Sequence, residues 1–182
     1  KKYLNSADII VIFTFYKVLS NSQLKYILNL KKKTFLRPLD IEMASGGCHF
    51  NEFCNKFKNN CNSCPKLYLS NIINLPKTNL EKKYEIINQF KPKILVQNKY
   101  VKSVFDKSTI FKNLKKNILY IGTNTKRFNL IPKKTARKYL KLELDEKIIL
   151  FATFNLNSFI KGGHLLKESL HQLDQDNSLN KK

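Results

Sequence analysis

Short apolar runs alternate with amphipathic stretches along this chain of 182 residues. Residues 7–13 are short, β-branched and apolar at consecutive positions, the pattern of a parallel strand buried on both faces. Ser20, Asn21, Ser22 and Gln23 then have the form of a capping box. Leu24, Ile27, Leu28 and Lys31 follow at helical spacing, and the helix they predict leads to a second strand over 33–37. Pro38 ends that strand, because it has no amide to donate to a ladder. After a polar, Asn-rich loop, Thr78, Asn79, Leu80 and Glu81 read as another capping box, with Leu80, Tyr84, Ile87 and Phe90 on one face of the helix. Pro92 stops it. Residues 93–97 read as a strand, 100–105 and 109–114 as short helices, and 117–121 as the next strand. A helix over 136–142, a buried strand over 147–153 and a helix over 163–173 complete the pattern.

Strand and helix alternate throughout, which predicts an α/β fold on a parallel sheet. The best domain boundary is 122–135, where Pro132 sits inside a basic run. A single strand-helix unit cannot bury its own faces. The residues beyond that boundary therefore read as the opening of a second domain, and the whole chain as a fragment. The longest apolar run, 7–16, contains Asp8 and falls short of the roughly 20 residues that cross a bilayer. A soluble, cytoplasmic chain is the expectation.

The formal charge of +21 invites a nucleic-acid reading, since cations that neutralise phosphates release counterions. Yet only Arg37, Arg127 and Arg137 are arginines among 34 basic residues. Specific phosphate and base readout favours the planar fork of Arg. Dispersed lysines fit a solvated surface first, then attraction to anionic lipid or an anionic substrate, and nucleic acid last.

Candidate chemistry concentrates in one loop. All four cysteines, Cys48, Cys54, Cys61 and Cys64, fall at spacing C-x5-C-x6-C-x2-C. Zinc takes four tetrahedral sulfur or nitrogen ligands, and Cys61 to Cys64 forms a C-x2-C knuckle; His49 could replace one thiolate. A structural zinc, reduced thiols and two disulfides all remain open from spacing alone. Asp40 and Glu42 sit just past a strand end, where α/β proteins place ligands, and a carboxylate pair there could hold hydroxyls or merely cap the loop. Lys161-Gly162-Gly163 opens a helix, where amide N–H groups and the helix dipole favour an anion; an ordinary strand-to-helix turn has the same form. His164 and His171 lie on that helix. His171 reads as solvated, while His164 would approach an anion there only from the right face.

The loop also carries a family resemblance. Phe35-Leu36-Arg37-Pro38-Leu39-Asp40-Ile41-Glu42, then Ser45-Gly46-Gly47-Cys48-His49-Phe50, Cys54, Phe57, Cys61 and Cys64-Pro65-Lys66-Leu67, resemble the run D-M-x-x-x-T-G-G-C-H-Y … C … Y … C … C-P-x-L. That run occurs in a branch of bacterial family 4 (group 1) glycosyltransferases that builds surface polysaccharides. The resemblance continues at lower identity through 96–101, 121–128 and 148–162. It implies a GT-B enzyme of two Rossmann-like parallel-sheet domains facing each other across a cleft. Residues 1–125 would be the later part of the N-terminal, acceptor-side domain with its cysteine-rich loop at 45–67. Residues 126–145 would be the interdomain linker and helix, and 146–182 the truncated start of the C-terminal, nucleotide-sugar domain.

The resemblance further implies retaining transfer from a UDP- or GDP-sugar to a glycan or lipid-linked acceptor. Lys161, Gly162 and Gly163 would hold the donor diphosphate, and Asp40, Glu42, Gly46, Gly47 and His49 would shape the acceptor side. No cofactor would be needed for catalysis, and any zinc on Cys48, Cys54, Cys61 and Cys64 would be structural. Lysine-rich helices would suit peripheral contact with anionic membrane on the inner face of the plasma membrane. The family's acidic E-x7-E motif would lie beyond Lys182, so the isolated chain is expected to be inactive. The rivals are a zinc-stabilised basic module binding nucleic acid and a non-catalytic GT-B remnant.

Overall fold

A computed structural model describes residues 2–68 and 72–175. The chain divides into two compact units, Lys1–Gly122 and Thr123–Lys182. In the first, four strands form one all-parallel sheet in the order β1 (Ile9–Ile12), β2 (Lys33–Leu36), β3 (Lys93–Val96) and β4 (Lys116–Ile118). Helices α1 (Lys2–Ser6), α2 (Asn21–Asn29), α3 (Leu75–Phe90) and α4 (Lys99–Lys107) accompany it. The parallel α/β architecture is therefore present, and it is compatible with a Rossmann-like fold.

Each strand is added on the same side of its predecessor, which puts successive crossover helices on one face of the sheet. The register shows the result. Ile10 pairs with Thr34 and Ile12 with Leu36; Leu36 pairs with Ile94, and Val96 with Ile118. These side chains meet Leu24, Ile27 and Leu28 of α2, Leu80, Ile86 and Ile87 of α3, and Val101, Val104 and Phe105 of α4 in a single core. The opposite face carries Ile9, Val11, Phe35 and Leu95, of which Ile9 and Val11 are exposed. Burial of 7–13 on both faces is thus corrected. Among the described residues no helix covers the second face, so only alternate positions of β1 are buried.

Local signals account for the helix boundaries. Ser20 caps α2 through the expected capping box, its hydroxyl accepting from the Gln23 amide at 3.2 Å while Gln23 Oε1 accepts from the Ser20 amide at 2.8 Å. The box expected at Thr78 does not form. Helix α3 starts earlier, at Leu75, because Pro76 in its first turn already has the helical φ and lacks only an amide that the first turn leaves unpaired. At the other end, Lys91 takes a left-handed φ of 46° because the residue before Pro92 is kept out of the helical region. The helix expected over 109–114 is a pair of turns, in which Phe111 and Lys112 both donate to the Ser108 carbonyl, at 3.1 and 2.8 Å. Phe111 stacks on Phe105 with ring centroids 4.6 Å apart, which folds the turns back onto α4.

The second unit contains α5 (Lys133–Leu140), a short 3-10 turn over Phe159–Lys161 and α6 (Gly163–Gln175). The buried strand expected over 147–153 is absent from the described residues: Ile148, Ile149, Leu150 and Phe151 are exposed and pair with no strand. A strand needs a ladder partner and a helix over its face, and the described part of this unit supplies neither; Gly163 is its one buried residue. The end of the domain expected over 146–182 lies outside the described residues beyond 175. No helix among the described residues is long and apolar enough to cross a membrane.

The two sheet faces should respond differently to truncation. Leu36→Ala, at a fully buried position, is expected to cost about 2–5 kcal/mol, while Val11→Ala on the bare face should cost less than about 1 kcal/mol. Urea unfolding of both variants measures the contrast, and equal losses would mean that both faces are covered.

Candidate functional site at the carboxyl edge of the sheet

β1 and β2 end at the same edge, and the segments that follow them meet there. Two residues past the Arg37-Pro38 step, Asp40 turns the chain by accepting from the Glu42 amide through Oδ1 at 2.7 Å. Its other oxygen, Oδ2, is hydrogen-bonded to Nδ1 of His49. A carboxylate only accepts, so Nδ1 carries a proton; in the neutral imidazole Nε2, on the other edge of the ring, is then the acceptor. Tyr16, from the segment after β1, meets the ring in a T-shaped contact, centroids 4.6 Å apart and planes at 86°. The His49 side chain keeps 40 % of its surface open. Carboxylate and aromatic ring thus hold the imidazole without enclosing it. From the segment after β3, Gln97 Nε2 donates to the Leu39 carbonyl at 2.7 Å and steadies the turn.

Directly beneath lies a buried ion pair. Lys83 of α3 is 2 % exposed and places Nζ 2.5 Å from Glu42 Oε1, 2.9 Å from the Glu42 carbonyl and 3.2 Å from the Ser45 carbonyl. Glu42 Oε2 accepts from the Phe15 amide at 3.3 Å, and the Phe15 ring lies 5.5 Å from the ammonium. All three ammonium donors therefore have acceptors. Burial drives the Lys83 pKa down from its ordinary value, and the charge and hydrogen bond of Glu42 pull it partly back. Glu42 consequently faces the interior, where it fastens the loop; only Asp40 of the expected carboxylate pair remains at the surface of the site. Lys83 and Tyr16 have no motif. The one sequence signal for Lys83 is its position three residues after Leu80 and four before Ile87, a charge on the apolar face of α3.

The glycines shape the same loop. A Cβ on Gly46 would stand 2.4 Å from the Pro76 carbonyl oxygen, so only glycine lets the loop lie against the start of α3. Gly47 has φ +139°, which other residues rarely adopt. Ser45 Oγ accepts from the amides of Gly47 and Cys48 at 3.1 and 2.8 Å. Asn79 donates through Nδ2 to the Gly46 carbonyl at 3.0 Å, and its Oδ1 accepts from Asn21 Nδ2 of α2 at 2.8 Å. Gly46 and Gly47 therefore position the loop, and His49 projects from it.

All four cysteines are free thiols, Cys61 and Cys64 buried, Cys48 and Cys54 half-buried. Burial pushes the Cys61 thiol up to about 11, and neighbouring Cys48, Cys54 and Cys64 add to the rise while the Gly46 backbone hydrogen bond opposes it. Burial and Cys64 likewise raise Cys48, against the pull of Lys66. The thiols share one neighbourhood. Even so, among the described residues no three His, Cys, Asp or Glu side chains converge in a group able to hold a metal ion.

Lys161, Gly162 and Gly163 belong to the second unit, where they form the entry to α6. Gly162 caps the preceding turn at φ 73°, and a Cβ on Gly163 would stand 2.0 Å from the Leu156 carbonyl oxygen. Both glycines are required by the path of the chain. His164 stacks on Phe159 with centroids 4.4 Å apart, and His171 hydrogen-bonds Gln175 one turn on at 3.0 Å.

Compared with known protein families, curated proteins and solved structures, the chain matches none.

Two outcomes test this construction. Lys83→Met leaves Glu42 as an unpaired buried charge and should cost about 3–5 kcal/mol in urea unfolding. Adding Glu42→Gln should recover a large part of the loss, since the amide still accepts from Phe15; no recovery would show that the pair is not the fastening. For Cys61, the folded pKa is raised above the unfolded one. Its contribution to stability is therefore complete below pH 9 and lost as pH rises from 9 to about 11. The stability difference between wild type and Cys61→Ala should shrink across that window, and a constant difference would place the thiol in solvent.

Proposed function

We propose that this chain is part of a sugar-transferring enzyme of the GT-B type, with Lys1–Gly122 belonging to its acceptor domain. The observation that carries the reading is the Asp40–His49 pair, held at the carboxyl edge of a parallel sheet with the imidazole partly open. α/β sheets bind ligands outside the carboxyl ends of their strands. In this reading, Nε2 of His49 accepts the hydrogen bond of an acceptor hydroxyl, and Asp40 stabilises the positive charge that grows on the ring as the hydroxyl proton transfers. Tyr16 offers an aromatic ring on which an apolar sugar face packs.

The resemblance around Cys48 and Cys64 supports assigning sugars to this edge. It also supports reading residues 146–182 as the opening of the nucleotide-sugar domain, with Lys161 and the amides of Gly162 and Gly163 taking the diphosphate of a UDP- or GDP-sugar. As the glycosidic bond breaks, negative charge grows on that diphosphate, and Lys161 would stabilise it. Transfer would retain the anomeric configuration, onto a glycan or lipid-linked acceptor.

The test uses the protein encoded by the whole reading frame that carries this chain, incubated with radiolabelled UDP- and GDP-sugars and a bacterial lipid and glycan extract. Label should move to the extract, with His49→Gln lowering kcat by about 10²–10⁴-fold. Lys161→Ala should lower it by about 10²–10³-fold. A protein that transfers no label from any of these donors, or that transfers it equally well without His49, would overturn the proposal.

A further inference from the structure

We propose that residues 126–141 form a docking surface for an anionic lipid bilayer, with the basic side chains on headgroup phosphates and a neighbouring apolar row in the interface. This inference does not depend on the sugar-transfer reading. The segment contains Lys126, Arg127, Lys133, Lys134, Arg137, Lys138 and Lys141, and no Asp or Glu occurs from Gly122 to Leu142. Lys126, Arg127, Lys133, Lys134, Lys138 and Lys141 are exposed, and none pairs with a carboxylate among the described residues. Arg137 is different: its guanidinium donates to the Glu143 and Glu146 carbonyls, which ties off the end of α5.

The same segment exposes Phe128, Leu130, Ile131, Tyr139 and Leu140, with Leu130 fully open to solvent. At about 100° per residue, Lys133, Arg137, Lys134 and Lys138 fill one continuous arc of α5. Thr135, Tyr139, Ala136 and Leu140 fill the other. No residue of α5 is buried, so neither arc serves a core within the described structure. A short amphipathic helix with lysines on one side and apolar groups on the other lies in the plane of a membrane interface. The long lysine stems let the ammonium groups stay at headgroup level while the apolar arc sinks. Each cation near an anionic surface adds to the attraction, and six exposed cations act together here.

Charge complementarity alone would also suit RNA or DNA. Two observations favour lipid. Exposed aliphatic side chains such as Leu130, Ile131 and Leu140 gain nothing from a phosphate backbone but are buried by acyl chains. And Arg127 is the one arginine among the six exposed cations, since Arg137 is held on backbone carbonyls, so the surface presents mainly lysine point charges in place of the forks that read bases.

The chain has no tryptophan, so Leu130→Trp gives a single fluorescent reporter at the centre of the surface. With vesicles containing 30 % phosphatidylglycerol, the emission should shift to the blue and the protein should float with the vesicles; with pure phosphatidylcholine it should do neither. Lys133→Glu, Lys134→Glu and Lys138→Glu together should weaken flotation tenfold or more, and Leu130→Ser with Ile131→Ser should weaken it without raising its sensitivity to salt. All five positions are exposed, and circular dichroism checks that the fold is kept. Equal binding to neutral vesicles, absence of binding to either vesicle, or tighter binding to a 20-mer oligonucleotide than to anionic vesicles at physiological salt would each overturn the proposal.

Discussion

Lys83 carries its charge into the interior of the first unit because three oxygens wait there, two of them from a single residue. Taking an ammonium out of water costs several kcal/mol, and the cost is offset only where every donor is met. The arrangement that meets it dictates much else. Glu42 must point inward, so the loop after β2 must fold back under the sheet edge; Ser45 must present its carbonyl, so the backbone must turn at Gly46 and Gly47. Phe15 is drawn in through its amide, which brings Tyr16 beside the loop. Asp40 and His49 then meet above the pair with little freedom left. One buried charge thus joins α3, the segment after β1 and the loop after β2 into the edge that holds the candidate site.

This constraint also explains the division of labour among the polar residues. Two carboxylates two positions apart look equivalent, yet one is in the interior and the other at the surface. Asp40 is bonded to a partly open imidazole and keeps a solvent-facing side, whereas both Glu42 oxygens are engaged in the interior. Asp40 is therefore the carboxylate that stays at the surface of the candidate site, and Glu42 the one that fastens the loop. The cysteines follow the same logic of burial. Burial, reinforced by the neighbouring thiols, raises the pKa of Cys61 and Cys48, which makes these two thiols poor nucleophiles at neutral pH.

Much of the fold was legible because its signals are local. The Ser20 box, the Pro92 stop and the β-branched run at β1 act within a few residues, and each element appears close to where the pattern puts it. Two of the misses share one cause. Whether both faces of 7–13 are covered, or whether 147–153 finds a ladder partner, depends on segments distant in sequence. The box at Thr78 failed for a local reason, since Pro76 in the first turn lets the helix begin sooner.

By itself the sequence determined the alternation of strand and helix, the parallel sheet it requires, the crowding of cysteines into one loop and the lysine excess of the surface. These follow from periodicity, capping chemistry and composition. Only the tertiary structure decided that His49 pairs with Asp40, that Glu42 turns inward to Lys83, and that one sheet face stays bare among the described residues. Partners 9 and 41 residues apart along the chain leave no periodic trace in it. They meet because a buried charge must be matched, and the match exists only once the sheet edge, the loop and α3 are packed together.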